Sequence, residues 1–345
     1  MSICKLRNGT VIGDFEKPYI VAELNTSHNG NVATAMEMIK KAKEIGCSCV
    51  KFQSWTQDSL YSKTYYKDNP IAKRIFDKFS FSEKQLLTVA QYSKECDIDF
   101  ASTPYSKKEV DFLMEKCEVP YIKIASMDLN NIPFINYIAR TRTPIVLATG
   151  MGSIDEIEKA IHTIEDSGNS NICLLHCVSI YPSKISTIRL YNILGLREEF
   201  PSYPIGFSDH SLGIEMASAA TALGSAMIEK HFTLDSKKIG MDNQIAIEPE
   251  AMEQLIKNCL NIQVALGGME RIVSGDELEQ RKKMRRSIVA TKNLKTGEIL
   301  KVEDMNVKRP GIGISPERLE DLIGKTLIND IEEDYLILEN NIKEK

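Results

Sequence analysis

A chain of 345 residues, 43% hydrophobic and 26% charged, has room for a barrel of about 250 residues and one smaller unit. Its net charge of −5 argues against a nucleic-acid or acidic-membrane surface, either of which asks for a basic face. The N-terminal MSICKLRNGTVIGDFEKPYI lacks the apolar core of a signal peptide and no run approaches membrane-spanning length, so a cytoplasmic protein without nucleic-acid or membrane partners is expected.

Short apolar runs alternate with helical patterns along most of the chain. The runs are Tyr19–Leu24, Cys49–Ser54, Asp99–Pro104, Tyr121–Ser126, Pro144–Thr149, Asn171–Cys177, Pro204–Asp209 and Ala226–Phe232. Each is short and rich in Val, Ile, Leu or aromatics, as a parallel strand covered on both faces requires. Between them, Ser82–Gln85, Ser106–Glu109 and Ser153–Glu156 match the capping box, and Gly46 ends the pattern MEMIKKAKEIG. Eight βα units predict a closed (β/α)8 TIM barrel. The rival, a doubly wound open sheet, lacks a G-x-G-x-x-G after any strand. Most strands also end in a polar residue (Glu23, Gln53, Thr103, Ser126, Thr149, Asp209, His231), where barrels carry their chemistry.

Residues 1–268 are therefore read as the barrel domain, ending at Gly267-Gly268. Residues 269–284 are read as a polar linker, its RKKMRR run solvated rather than nucleic-acid binding. Residues 285–345, with SIVAT, a turn at Lys295-Thr296-Gly297-Glu298 and ILKVEDMNVKRPGIGI, read as a small, mostly β domain. The eight cysteines lie mostly in apolar patterns without C-x-x-C spacing, and are expected to be buried free thiols.

Four of the five histidines (His28, His176, His210, His231) follow or end strands, whereas His162 sits in a helical stretch. Each has a bland reading as a hydrogen-bonded core residue. Period-2 parity puts Gly206, Ser208 and His210 on one face of strand 7, and Glu229 and His231 on one face of strand 8. Two neutral imidazoles on neighbouring strands with open water positions suit Mn2+, Zn2+ or Co2+ in a Lewis-acid role. Lys51 and Lys123 lie inside strands, where burial demands an anion or a carboxylate. Three readings stay open for them: an ion pair with Glu23 or Asp99; phosphate or carboxylate binding aided by Thr103, Ser126, Ser179 and Ser208; or a Schiff-base lysine. Glu23 suits a general base or a counter-ion. Asp128 and Asp242, on loops after strands 4 and 8, are placed to bond sugar hydroxyls, though loop aspartates usually just form turns.

Taken in order, AELNTSHNG, VKFQS, ASTPYS, YIKIAS, LATGM, SIYP, GFSDHS and EKHFTLD resemble the signatures of the sialic acid (nonulosonate) synthases. VKRPG resembles that of their C-terminal antifreeze-like (SAF) domain. The resemblance spans essentially the whole chain. It implies a homodimer of barrels with swapped C-terminal domains that condenses phosphoenolpyruvate with an N-acetylated amino-sugar aldehyde, using a divalent metal, Mn by preference and Mg or Co otherwise. Carried over residue by residue, it implies His210 and His231 as metal ligands and Glu23 as the acid beside the reacting carbon. It implies Lys51, Thr103, Lys123, Ser126, Ser179 and Ser208 around phosphoenolpyruvate, with both lysines catalytic. Gln53, Asn69, Asp128, Tyr181 and Asp242 would surround the amino sugar, and Arg309 would reach into the partner's site.

The chain departs from the family pattern at Ala148, where Ser is common, at Asp128 in SMD, and at Met241 and Asn243 in GMDNQIAIEP, which fall where the sugar should lie. N-acetylmannosamine is the default aldehyde, and a dideoxy-diacetamido hexose giving a legionaminic- or pseudaminic-type product is the alternative. A metal-free Schiff-base aldolase and a non-catalytic sugar-binding scaffold are the competing classes.

Overall fold

The computed structural model of the chain describes residues 2–343. All eight expected strands form, in order: β1 (Tyr19–Glu23), β2 (Cys49–Gln53), β3 (Asp99–Thr103), β4 (Ile122–Ile124), β5 (Ile145–Ala148), β6 (Ile172–Cys177), β7 (Ile205–Asp209) and β8 (Met227–His231). They make one parallel sheet in the order β3-β2-β1-β8-β7-β6-β5-β4. Strand β1 pairs with β8, so the sheet has curled around on itself; β3 and β4 lie side by side without a ladder. The sheet is thus a near-closed (β/α)8 barrel, and the doubly wound reading is excluded.

Strand parity sorts the side chains into two layers. Outward positions such as Ile20, Val50, Phe100, Ile122, Leu147, Leu174, Phe207 and Ile228 pack beneath the helices. Inward, Tyr19, Val21, Cys49, Ala101, Tyr121, Val146, Cys173, Leu175 and Met227 fill the lower barrel. Cys4, Leu6 and Ile12 join that cluster from an antiparallel hairpin, Ile3–Lys5 with Val11–Gly13. Its three-residue strands are too short for a periodicity signal. The hairpin caps the lower end with apolar side chains, leaving polar chemistry to the strand ends above.

The helices follow their local codes. In Val32–Glu44 the buried Ala35, Met38, Ile39 and Ala42 recur at i, i+3, i+4 and i+7, and Gly46 follows with φ +92°. Ser82 and Ser153 form complete capping boxes with Gln85 and Glu156. The box expected at Ser106 is only half formed. Ser106 caps the Glu109 amide, but the Glu109 carboxylate accepts instead from Tyr105 N (2.6 Å) and Ser59 Oγ (2.6 Å). All eight cysteines are free thiols, mostly buried. No described helix is long and apolar enough to cross a membrane.

Two compact units divide at Gly267/Gly268. In the second, β9 (Ser287–Ala290) and β10 (Met305–Lys308) pair antiparallel over Ile288, Ala290, Leu300, Met305 and Ile337. The expected turn closes with Glu298 N donating to Lys295 O, 3.0 Å, and Gly297 at φ +88°. The stretch read as linker contains a helix, Gly275–Met284, with no buried residue. Ser274 caps it, with Asp276 and Glu277 in its first turn and Arg281, Lys282 and Lys283 in its last, which complements the helix dipole.

Candidate active site

The register of four neighbouring strands, β2-β1-β8-β7, brings the chemistry together. Glu23 on β1 lies opposite His231 on β8 and Lys51 on β2, and Glu229 on β8 lies opposite Ser208 on β7. Glu23, Lys51, Lys123, Glu229, His210 and His231 are all buried. Lys51 forms an ion pair with Glu23 Oε2, stands 3.7 Å from Glu229 Oε2, and donates to Thr103 Oγ1 at 3.3 Å. Lys123 Nζ donates to both Glu229 oxygens, at 2.8 and 2.9 Å, and Ser208 Oγ donates to Glu229 Oε1 at 2.8 Å. The expected pairing with Glu23 is present; Asp99 is not its rival, since its carboxylate accepts from Tyr19 and Asn8 at the lower end. Glu229, which strand parity places on the His231 face without indicating a role, is the carboxylate that links the two lysines.

These carboxylates differ in character. Burial tends to raise Glu229, but the charges of Lys123 and Lys51 with their hydrogen bonds overcome it and hold Glu229 well below the usual range. Burial likewise raises Glu23, and there Lys51 only partly offsets it. Burial works against the Lys51 ammonium, yet Glu229 and Glu23 more than compensate and raise its pKa. Lys51 therefore stays charged, an anion-binding state rather than the free amine a Schiff base requires.

The imidazoles of His210 and His231 lie 5.6 Å apart, centroid to centroid. His210 Nδ1 donates to the Val178 carbonyl at 2.8 Å, leaving Nε2 as the lone-pair nitrogen, 3.4 Å from Ser208 Oγ. His231 Nδ1 is buried without a hydrogen-bond partner. Burial lowers both pKa values, so both rings are neutral donors. Among the described residues no cluster of three or more His, Cys, Asp or Glu could hold a metal. The donor set is a two-imidazole pair, which fits an ion that keeps several water positions. Behind the pair, on the outer face of β7 and β8, the fully buried Lys230 and Asp209 meet at 2.8 Å. Asp209, read as a rim residue, thus belongs to the layer under the helices.

A second group of polar atoms gathers at the ends of β4, β5 and β6. Ser126 Oγ lies 3.2 Å from Cys177 Sγ and accepts from Gly150 N at 3.1 Å. A Cβ on Gly150 would fall 2.5 Å from Ser179 Oγ and 2.7 Å from Ser126 Oγ. The expected Ser126 and Ser179 therefore meet here, with Cys177 and the Gly150 amide as unforeseen members.

The residues expected around a sugar are scattered more widely. Gln53 donates to Glu23 Oε1 at 3.3 Å and accepts from Tyr105 Oη at 2.7 Å and Trp55 Nε1 at 3.1 Å, so it orients Glu23. The Tyr181 ring lies 4.2 Å from that of His210. Asp242 accepts from the Asn25 amide, and burial raises its carboxyl. Asp128 is half-buried and accepts from Asn131 at 2.9 Å. Asn69 is exposed and donates to Tyr65 O at 3.1 Å, with no bond to the cluster above. Arg309 is exposed on the second unit, directly after β10. Asn243, one of the departures that fall where the sugar should lie, is fully buried, its amide nitrogen donating to Asp235 O and Lys238 O.

Two of the four strand-end histidines are core residues. His28 stacks on Phe81 at 4.0 Å, and His176 bonds the Ile188 carbonyl at 2.7 Å. A cavity of about 830 Å3 opens at the opposite, lower end, near Asn8, Tyr19 and Asp99. It is remote from the cluster, and its Asp99 carboxylate is already engaged.

A barrel with two lysines, two neutral imidazoles and two unequal carboxylates buried at its C-terminal strand ends defines an enzyme. The profile of the NeuB family matches residues 38–271 and that of the SAF domain residues 285–343. The N-acetylneuraminate-9-phosphate synthase of Drosophila melanogaster is 35% identical, over 94% of this chain and 95% of its own. The N,N'-diacetyllegionaminic acid synthase of Legionella pneumophila is 34% identical over 90% of each chain. The crystal structure of the N-acetylneuraminic acid synthetase of Leptospira borgpetersenii, determined with citrate, superposes with a TM-score of 0.74 at 30% identity, covering 81% of this chain and 96% of that one. The chain belongs to the NeuB family, and is a synthase of the sialic acid and nonulosonate class, whose members are phosphoenolpyruvate-dependent condensing enzymes.

Proposed function

We propose that this enzyme joins phosphoenolpyruvate to an N-acetylated amino-sugar aldehyde, with water, to give a nine-carbon acid and inorganic phosphate. The observation that carries this reading is the cluster in which Lys51 and Lys123 flank Glu229 beside two neutral imidazoles and Glu23. Lys51 and Lys123 hold the phosphoenolpyruvate anion, with Thr103, Ser126, Ser179 and Ser208 as hydrogen-bond partners, and offset the charge of the departing phosphate. C3 of the enol forms the new bond to the aldehyde carbon. Water then adds at C2, and the C2–O bond breaks to release phosphate. Glu23, its pKa raised by burial and its Oε1 held by Gln53, orients that water and takes its proton. His210 and His231 would hold a divalent cation, Mn2+ by preference, which when bound polarises the aldehyde oxygen.

N-acetylmannosamine is the default aldehyde. A dideoxy-diacetamido hexose, giving a legionaminic- or pseudaminic-type acid, is the second reading, favoured by the near-equal likeness to the Legionella enzyme. Tyr181 and Asp242 line the sugar, with Asp128 and Asn69 further out. Arg309 serves the acyl group of substrate on the other chain of a homodimer. Mixing Lys51→Ala and Arg309→Ala chains would then restore activity that neither has alone.

The test is a panel of N-acylated hexoses incubated with phosphoenolpyruvate and Mn2+, following phosphate release and product mass. Phosphate release that needs both substrates, is abolished by chelation and returns with Mn2+ is the expected result. Full activity in chelated enzyme, or borohydride trapping of a lysine adduct, would overturn it.

A further inference from the structure

Asn25, two residues beyond Glu23, combines three features that its place in the chain does not require. Its backbone sits at φ +35°, in the left-handed region that glycine enters freely and other residues rarely do. Its side chain is only 6% exposed. The amide nitrogen donates to Asp242, tying the loop after β1 to the loop after β8, while Oδ1 is buried with no hydrogen-bond partner. The backbone N–H donates to Glu23 Oε1 at 3.1 Å, so the side chain lies immediately beside the reactive cluster.

A buried amide oxygen without a donor is an uncommon expense, and one kept on an unfavourable backbone needs a reason. A structural tie to Asp242 accounts for the nitrogen alone. It leaves the oxygen unexplained, and a glycine would have relieved the backbone. Two acceptors, Asn25 Oδ1 and the Asp242 carboxylate, therefore stand together next to Glu23. Ligand chemistry that completes them must bring polar hydrogens. Phosphoenolpyruvate offers none once ionised, whereas an amino sugar offers hydroxyl and acylamino N–H donors.

We infer that Asn25 is a specificity residue for the aldehyde substrate, its side-chain oxygen accepting a hydrogen bond from an O–H or N–H of the amino sugar beside Asp242. This rests on the amino-sugar reading proposed above. A site built to hydrogen-bond such a donor discriminates strongly against analogues that lack it, because the acceptor is then left unpaired.

Asn25→Gly isolates the side chain, since glycine suits the backbone at this position. The expected result is a KM for the amino sugar raised about tenfold, a KM for phosphoenolpyruvate within about twofold of wild type, and a melting temperature lowered only modestly, because relief of the backbone offsets part of the lost bond to Asp242. Removing the matching donor from the sugar should raise KM in the wild type and have little further effect in Asn25→Gly. An unchanged sugar KM, or equal changes in both KM values, would overturn the inference while leaving the amino-sugar reading intact. A wild-type enzyme that turns over no N-acylated amino sugar would overturn both.

Discussion

Lys123 and Glu229 face each other across the inside of the barrel, the ammonium 2.8 and 2.9 Å from the two carboxylate oxygens. Both side chains are almost wholly buried, so each is the other's main compensation. With Lys51 at 3.7 Å from the same carboxylate, Glu229 keeps two cations close together at the bottom of the site.

Glu229→Gln removes that compensation at nearly constant volume. The expected cost is about 3 kcal/mol of stability, because two buried ammonium groups then share Glu23 alone. Phosphoenolpyruvate or inorganic phosphate at saturation should restore part of the loss by supplying the missing anion. Denaturant unfolding with and without the anion measures both. An unaltered midpoint would show that the lysines are neutralised elsewhere.

Gly150 has no positive φ, so its value here is space rather than conformation. The Cβ of Gly150→Ala would crowd Ser179 Oγ, Ser126 Oγ and Cys177 Sγ, at 2.5, 2.7 and 2.9 Å. If these groups form the anion seat, KM for phosphoenolpyruvate should rise about tenfold or more, while KM for the sugar moves less. Steady-state kinetics with each substrate varied in turn checks this, and equal effects on both would refute it.

His28 links pH to stability away from the catalytic cluster. Burial pushes its pKa down to about 4 from 6.5, and its Nδ1 accepts from Gly30 N at 3.1 Å, a bond only the neutral ring makes. The folded pKa lies below the unfolded one, so on acidification the unfolded chain takes up this proton first. The contribution is complete above about pH 6.5 and is lost between there and about pH 4, the loss amounting to about 2 kcal/mol by pH 5. Chemical unfolding across this range should show wild type losing more stability than His28→Phe. Parallel curves would contradict the assignment.

Much of this arrangement could be read from residues in order. Period-2 parity alone set Ser208 with His210, and Glu229 with His231, because alternate side chains of a strand must share a face. Lys51 and Lys123 stood out because a mid-strand cation demands a counter-charge. The same parity did not reveal the direction of Asp209, which turns outward to Lys230, or separate His210 from His28 and His176, which pack as core residues. Strand ends alternate faces too, and only the closed sheet says which face is the interior.

The sequence by itself determined the barrel, its eight strands and most of the rim residues, since these depend on local periodicity, caps and apolar runs. Tertiary structure alone decided which charges meet. Glu229 joins Lys51 and Lys123 because β8 closes against β1 and carries its carboxylate across the barrel to β4. It also decided that the Asn243 amide nitrogen bonds Asp235 O and Lys238 O while that of Asn25 reaches Asp242. Those contacts join residues as many as 217 positions apart, a separation over which no local pattern carries information.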